Sequence, residues 1–226
     1  MGERVVHLVR TGIANTASLV SMLERLNARV EDVRDAGDVE RARAVVLPGV
    51  GAFGAGMERL RRAGLVEAMR ARVDAGRATL CVCLGMQLLC GASEETPGET
   101  GLGVIDVRVE RFAGPVRVPQ MGWNRVRAGQ GATMLVDGVA YFANSYRIAG
   151  SLRSDLVRAG WACATSEYSG EFVCGMERRD VLACQFHPEL SGAWGLGLVS
   201  SWLDRACGEA GAPRTERARA GEGVRC

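Results

Sequence analysis

The sequence predicts an α/β fold: an open, mostly parallel sheet with helices on both faces, extended by added mixed or antiparallel strands. Two observations carry this. The first 90 residues alternate short apolar runs with stretches of helical periodicity, and strands separated by helices of such length build a parallel sheet. From Gly103 to about Phe186, short runs rich in Val, Tyr, Phe and Trp follow one another with Gly between them. Such runs read as hairpins or mixed strands joined to the same sheet.

The elements follow in order. Val5 to Val9 is an apolar run that reads as a buried strand. Asn15 to Leu26 reads as a helix, with Asn15 as its cap and Leu19, Met22, Leu23 and Leu26 at helical spacing. Ala44 to Leu47 is a strand stopped by Pro48, and Leu65 to Val73 is a helix stopped by Gly76. Ala78 to Val82 is a strand, and a helix is expected from about Gly85. Further strands are expected over Val104 to Phe112, Val139 to Phe142, Glu171 to Met176 and Val181 to Phe186, with a closing helix from Leu196 to Ala206. Residues 1–207 thus read as one domain. From Gly208 the chain is Gly, Ala, Arg and Glu without periodicity, which predicts a disordered tail.

Composition narrows the function. The chain has 226 residues, 47% of them apolar, enough for a core without staples. The net charge is +2, and Arg alternates with Glu and Asp from end to end, so no basic face points to nucleic acid. The apolar run at the start is too short for a signal core or a membrane span. The expectation is a cytoplasmic protein with no membrane partner. Eight cysteines show no C-x-x-C spacing and fall among apolar residues, so most read as small buried hydrophobes. With two histidines and unsuitable spacing, a zinc site is not expected.

Cys83 carries the strongest chemical signal. A strand runs straight into Cys83-Leu84-Gly85, the layout of a nucleophile elbow. A helix starting there would aim its N-terminus at the sulfur and favour thiolate. The base must be one of two histidines. His7 lies within the first strand and reads as structural. His187 ends a strand and precedes Pro188, which favours an extended backbone. Residues two apart in an extended segment share a side, so Glu189 can orient the imidazole. Cys83, His187 and Glu189 then form nucleophile, base and orienter. Sites in open α/β sheets form at the carboxyl ends of strands, where both Cys83 and His187 fall.

Gly49 to Gly54 matches G-x-G-x-x-G, with Asp74 twenty residues beyond Gly54. Three readings of it stay open: a dinucleotide fingerprint, a backbone loop whose N–H groups hold an oxyanion, or a plain Gly-rich turn.

Four motifs occur in order: Pro48-Gly49-Val50-Gly51-Ala52-Phe53, Cys83-Leu84-Gly85-Met86-Gln87, Pro119-Gln120-Met121-Gly122-Trp123-Asn124 and Gln185-Phe186-His187-Pro188-Glu189. Together they resemble the glutaminase subunits of imidazole glycerol phosphate synthase, a family of class I (triad) glutamine amidotransferases with a flavodoxin-like sheet. The resemblance spans roughly residues 4 to 206. It implies that Cys83 attacks the side-chain amide of L-glutamine, with His187 as base and then acid, and Glu189 as its orienter. It implies an oxyanion hole at the backbone of Val50 and Leu84, and substrate contacts at Gly51, Gln87, Ser145 and Tyr146. It also implies a peptide at Gly49-Val50 that must reorient, and a (β/α)₈-barrel cyclase as heterodimer partner and receiver of the ammonia. No metal or organic cofactor is implied.

Four positions depart from the family pattern. Cys81 stands where Gly is usual, Arg10 where Asp is usual, Asn144 where His is usual, and Leu190 where Lys or Arg is usual. Cys81 is expected to crowd the elbow and to expose a second thiol to oxidation. Two other functions stay open beside the histidine-pathway glutaminase: a paralogue feeding ammonia to another synthase, such as one for sugar amidation, and a non-catalytic module on the same fold.

Overall fold

A computed structural model describes residues 3–10 and 16–208. In chain order, β1 (Arg4–Leu8), α1 (Ala17–Arg25), β2 (Ala28–Asp32), α2 (Ala36–Arg41), β3 (Ala44–Leu47), α3 (Phe53–Arg62), α4 (Val66–Asp74) and β4 (Thr79–Val82) make the first half of the fold. Then come α5 (Leu84–Gln87), β5 (Cys90–Ser93), β6 (Ile105–Arg111), β7 (Gln120–Ala128), β8 (Gly138–Asn144) and β9 (Tyr146–Ala149). The rest is α6 (Arg153–Arg158), β10 (Ala162–Glu167), β11 (Glu171–Arg178), β12 (Val181–Cys184) and α7 (Gly192–Cys207).

The main sheet runs β2-β1-β3-β4-β12-β11-β10-β7-β8. All pairings from β2 to β12 are parallel. Those from β12 to β8 are antiparallel. Strands β5, β6 and β9 form a branch that returns to β11. The parallel half is thus the βα-repeat part of the sequence joined by β12, and the antiparallel half is its Gly-punctuated middle. Strand β12, expected among the added strands, runs antiparallel to β11 on one side and parallel to β4 on the other.

Alternation along the strands sorts the core into two layers. Val45, Leu47, Cys81, Val181 and Ala183 pack with α3 and α4. Val46, Leu80, Val82, Leu182 and Cys184 pack with α1 and α7. Both faces of β3, β4 and β12 are therefore covered, and every residue of these strands is buried.

Several elements were not legible in the sequence. Strands β2, β7 and β10 and helix α2 lack long apolar runs. In β7 the side chains alternate between covered and open positions, so its residues read as polar and mixed. The cap expected at Asn15 and the tail beyond Gly208 fall outside the described residues. The helix expected from Gly85 is only the four residues of α5 before the chain bends into β5.

Arg72 ties the parallel half together. This guanidinium on α4 is 2% exposed. It donates to the carbonyls of Val39, Ala42, Arg43 and Ala78 and to Thr79 Oγ1, at 2.7 to 3.2 Å. One cation thereby joins the end of α2 to the starts of β3 and β4. Burial, with the nearby Arg77 charge, lowers its pKa to about 10, so it stays charged at neutral pH. Removing it strands carbonyls that no apolar side chain can serve. Arg72→Leu is expected to cost about 3 kcal/mol of stability. Urea unfolding checks this; an unchanged midpoint would show that the carbonyls find other partners.

Candidate active site

Strand β4 ends by feeding Cys83 into a sharp turn with φ 53° and ψ −109°. A non-glycine residue rarely adopts positive φ, and packing must hold it there. Two observations show what holds it. The Cys83 N–H donates to the Cys184 carbonyl at 2.7 Å, so the end of β12 grips the turn. A Cβ on Gly85 would lie 2.0 Å from the Leu47 carbonyl oxygen, so only glycine lets the turn sit against β3. The Cys83 carbonyl then accepts from the N–H groups of Met86 and Gln87. The elbow is as predicted. Its helix is so short that the expected dipole effect on the sulfur is small, since few aligned peptides contribute.

Cys81 does not crowd Cys83. It is fully buried in the layer of α3 and α4, whereas Cys83 packs in the layer of α1 and α7. Burial pushes the Cys81 thiol up to about 12, which makes it inert rather than oxidisable.

His187 follows β12 and meets Cys83 through the parallel register of β4 and β12. Its ring interacts with Cys83 on one side, and its Nδ1 lies 2.9 Å from Glu189 Oε1 on the other. Glu189 reaches this place by a different path from the one predicted. Residues Pro188–Leu190 form a tight 3₁₀ turn, not an extended segment, and the turn brings the carboxylate back to the ring. Burial, the largest influence, works against charge on His187, but hydrogen bonding and charge from Cys83 and Glu189 overcome it and push the pKa up to about 10. The imidazole therefore holds a proton at neutral pH. The folding stability that this shift contributes is fully present below about 6.5 and is lost as the pH rises through about 10.

Ser191 was missed by sequence reasoning. Its Oγ accepts from the Tyr141 N–H at 3.0 Å and donates to the His187 carbonyl at 2.6 Å. The His187 N–H in turn donates to the Tyr141 carbonyl at 2.9 Å. These bonds fasten the histidine turn to β8. A lone serine in a turn gives no sequence signal for that role.

A cavity of about 150 Å³ opens beside the Cys83 sulfur. Val50, Gly51, Leu84, Gln87, Ser145 and Tyr146 all line it, so every predicted substrate and oxyanion position falls in one place. Glu95 and Asn144 also line it and were not predicted to. Asn144 is buried, donates to the Tyr146 carbonyl at 2.9 Å, and leaves its own Oδ1 without a partner. The Leu84 N–H donates to the Gly49 carbonyl at 3.3 Å. That carbonyl thus occupies the direction an oxyanion would take, and the Val50 N–H of the same peptide is held away by peptide planarity.

The Gly49 to Gly54 pattern can now be placed. The start of α3 is filled from within: the Phe53 N–H donates to Glu95 Oε2 at 2.7 Å and the Gly54 N–H to Thr96 Oγ1 at 3.2 Å. A pyrophosphate would need those same N–H groups. The loop instead lies at Gly49 against Leu84 and Gly85, beside the Cys83 elbow. It is not a dinucleotide fingerprint.

The family profile described as "Glutamine amidotransferase class-I" matches residues 7–195. The chain belongs to the class-I glutamine amidotransferases. The amidotransferase is 37% identical over 207 residues to the imidazole glycerol phosphate synthase subunit HisH of Herpetosiphon aurantiacus, covering 89% of this chain and 95% of that one. It is 39% identical to HisH of Halobacterium salinarum over 87% of this chain and 91% of that one. A chloroplastic relative from Arabidopsis thaliana, imidazole glycerol phosphate synthase hisHF, is 37% identical, and the chain spans 34% of its length. Among solved structures, a glutamine amidotransferase matches with a TM-score of 0.67 at 22% identity, covering 89% of this chain and 98% of that one. The glutaminase domain of Trypanosoma brucei CTPS matches with a TM-score of 0.61 at 17% identity, covering 90% of this chain and 93% of that one. These structural likenesses agree with the α/β fold predicted above.

In the amidotransferase, Glu189→Gln removes a charge that holds the His187 proton. The imidazole titration, followed by NMR, is expected to fall by about one unit or more. An unchanged titration would show that Cys83 alone sets it.

Proposed function

We propose that the chain is the glutaminase subunit of an imidazole glycerol phosphate synthase, acting in histidine biosynthesis. The observation that carries the mechanism is the line of contacts from Cys83 to a protonated His187 to Glu189, with Cys83 also lining the small cavity. L-Glutamine enters with its side-chain amide at the sulfur. The Cys83 sulfur bonds to the amide carbon, and the His187 proton goes to the nitrogen. The C–N bond breaks, ammonia leaves, and a glutamyl thioester remains. Water then gives one proton to His187 and its oxygen to the acyl carbon. The C–S bond breaks, glutamate departs, and thiolate and imidazolium are restored. Glu189 keeps the ring oriented and stabilises its charge throughout.

The α-ammonium of glutamine needs an anionic partner, and Glu95 is the carboxylate that lines the cavity. The oxyanion of each tetrahedral intermediate needs two N–H donors. Leu84 supplies one and Val50 the other once the Gly49-Val50 peptide turns over. Gly51, at φ 99°, gives the segment the backbone freedom for that turn. In the resting arrangement the Gly49 carbonyl blocks the hole, which supports a glutaminase that idles until a partner acts.

The ammonia acceptor is a (β/α)₈-barrel cyclase bound as the other half of a heterodimer. The hisHF name of the Arabidopsis relative, of which this chain spans 34%, supports such a pairing. So does an exposed apolar face near the site. Met121 and Trp123 on β7 are 68% and 60% exposed, Val139 on the paired strand β8 is exposed too, and Val50 and Leu190 are exposed in the motifs that carry the site. Exposed apolar patches mark interaction surfaces. Leu190 replaces the usual cation there, so this contact rests on apolar burial. Among the described residues no helix is long and apolar enough to cross a membrane, and we place the enzyme in the cytoplasm.

The test is glutamate release by the purified chain, alone and with the cyclase of the same genome plus its ribonucleotide substrate. Stimulation by about 100-fold or more is expected, the scale of one oxyanion donor. Cys83→Ala is expected to abolish release while leaving assembly intact. Release that ignores the cyclase would move the chain to another synthase, and none with any partner would favour a non-catalytic module.

A further inference from the structure

Gln185 interrupts an apolar strand end. It follows Val181 to Cys184, all buried, precedes the buried Phe186, and is itself 0% exposed. An unpaired amide in such a place is costly, so its partners define its role. Its Nε2 lies 3.6 Å from the Cys83 sulfur, and its Oε1 accepts from Gln87 Nε2 at 2.9 Å.

The direction of this chain of amides is fixed from one end. The Tyr146 carbonyl can only accept. Gln87 Nε2 donates to it at 3.3 Å, and Asn144 Nδ2 does so at 2.9 Å. Gln87 must therefore turn its NH₂ group inward, and Gln185 must answer with its carbonyl oxygen. That leaves the NH₂ group of Gln185 facing the sulfur. The register places it there: Cys184 pairs with Val82 across the parallel strands, so Gln185 stands beside Cys83.

We propose that Gln185 is a positioning residue for the nucleophile, donating from its side-chain amide to the Cys83 sulfur in an orientation imposed by Gln87 and the Tyr146 carbonyl. A neutral thiol accepts weakly and a thiolate strongly, so the bond selects the reactive form. It also holds the sulfur from the end of β12, a fixed point of the sheet. The same donor steadies the sulfur when it leaves the thioester. Because Gln87 also lines the glutamine cavity, the wall of the substrate site and the nucleophile share one hydrogen-bonded line. The proposal rests on the glutaminase reading for its catalytic meaning, but its geometry is tested without that reading.

Gln185→Met keeps the volume and removes both bonds. Iodoacetamide labelling of Cys83 in the full chain, followed by peptide mapping across a pH series, is expected to shift its midpoint upward by about one unit. In the complex with the cyclase, kcat is expected to fall about tenfold with KM for glutamine within about twofold. Gln87→Met is expected to shift the labelling midpoint in the same direction by less. A merely structural role would lower the melting temperature and leave the midpoint in place, and that result overturns the proposal. If Gln185→Met does not fold, Gln185→Glu keeps the size and the acceptor for Gln87 while losing the donor; a wild-type midpoint there also overturns it. Failure of wild-type glutamate release with every partner would sink the glutaminase reading alone, since labelling does not depend on it.

Discussion

The fold and the site both depend on the parallel pairing of β4 with β12. The two strands are far apart in sequence, and they are neighbours only because β12 adds to the edge of the parallel half. Register puts Val82 opposite Cys184, and the Cys83 N–H donates to the Cys184 carbonyl at 2.7 Å. That one bond stands where the parallel ladder ends. Beyond it the two chains diverge, one into the strained turn at Cys83 and the other towards His187. A slip of one residue would send His187 to the opposite face of the sheet, because side chains alternate. The bulk of β4 and β12 guards against this: all eight residues are buried, and both layers of the core are keyed to their alternation.

How the interior treats charge separates scaffold from site. Arg72 is surrounded by acceptors, and Glu177 on β11 accepts from the Thr133, Met134 and Leu135 N–H groups and from Thr133 Oγ1, all within 3.2 Å. These ions close on themselves and stitch loops to strands. The site is left open by contrast. Glu189 Oε2, Asn144 Oδ1 and Gln120 Oε1 are buried without hydrogen-bond partners, and Gln120 and Asn144 face each other across β7 and β8. Buried polar atoms of this kind carry a free-energy cost that a purely structural core would avoid. Glu189 adjoins His187, and Asn144 lines the cavity beside Cys83, where a polar substrate would meet them.

Much of this was legible in the sequence, and what was not has a common cause. Strands β3, β4 and β12 show as apolar runs because helices cover both their faces, and β1 shows through Val6 and Leu8 on its covered face. The elbow at Cys83 showed because a strand meeting Cys-x-Gly is a local pattern, and His187 because there was one alternative. Strand β7 did not show, because Met121, Trp123 and Arg125 look outward while only Gln120 and Val126 are buried. Glu95, Ser191 and the role of Asn144 did not show either. Each acts through atoms brought from another element: Glu95 through the Phe53 N–H, Ser191 through Tyr141, and Asn144 through the Tyr146 carbonyl. Periodicity reports burial, and elbows report local strain, but cross-element hydrogen bonds exist only once the register is set. The Gly49 to Gly54 pattern shows the reverse error. Gly49 is required for close approach to Leu84 and Gly85, and Gly54 for close approach to Thr96, not to a nucleotide.

The departures from the family pattern acquire physical meaning together. Arg10 donates from Nη1 to Thr16 Oγ1 at 2.9 Å and from Nε to Asp32 at 2.8 Å. It therefore anchors the chain on both sides of residues 11–15, close to the surface where Thr16 meets Pro48, Gly49 and Val50 around His187. Leu190, 44% exposed, removes a cation one residue beyond Glu189. Relative to the family pattern, Arg for Asp at position 10 changes the charge on the β1 side of the site by +2, and Leu190 for Lys or Arg changes it by −1 on the α7 side. The mouth is therefore more positive than the pattern, with the added charge displaced towards β1. An ion pair that a usual Lys or Arg would form with the partner cannot form at Leu190, and an apolar contact there is insensitive to salt. Under the proposed pairing with a cyclase, the expected consequence is a partner that meets Leu190 with an apolar residue in place of a carboxylate, so that the pairing favours the cyclase of the same genome over the family at large.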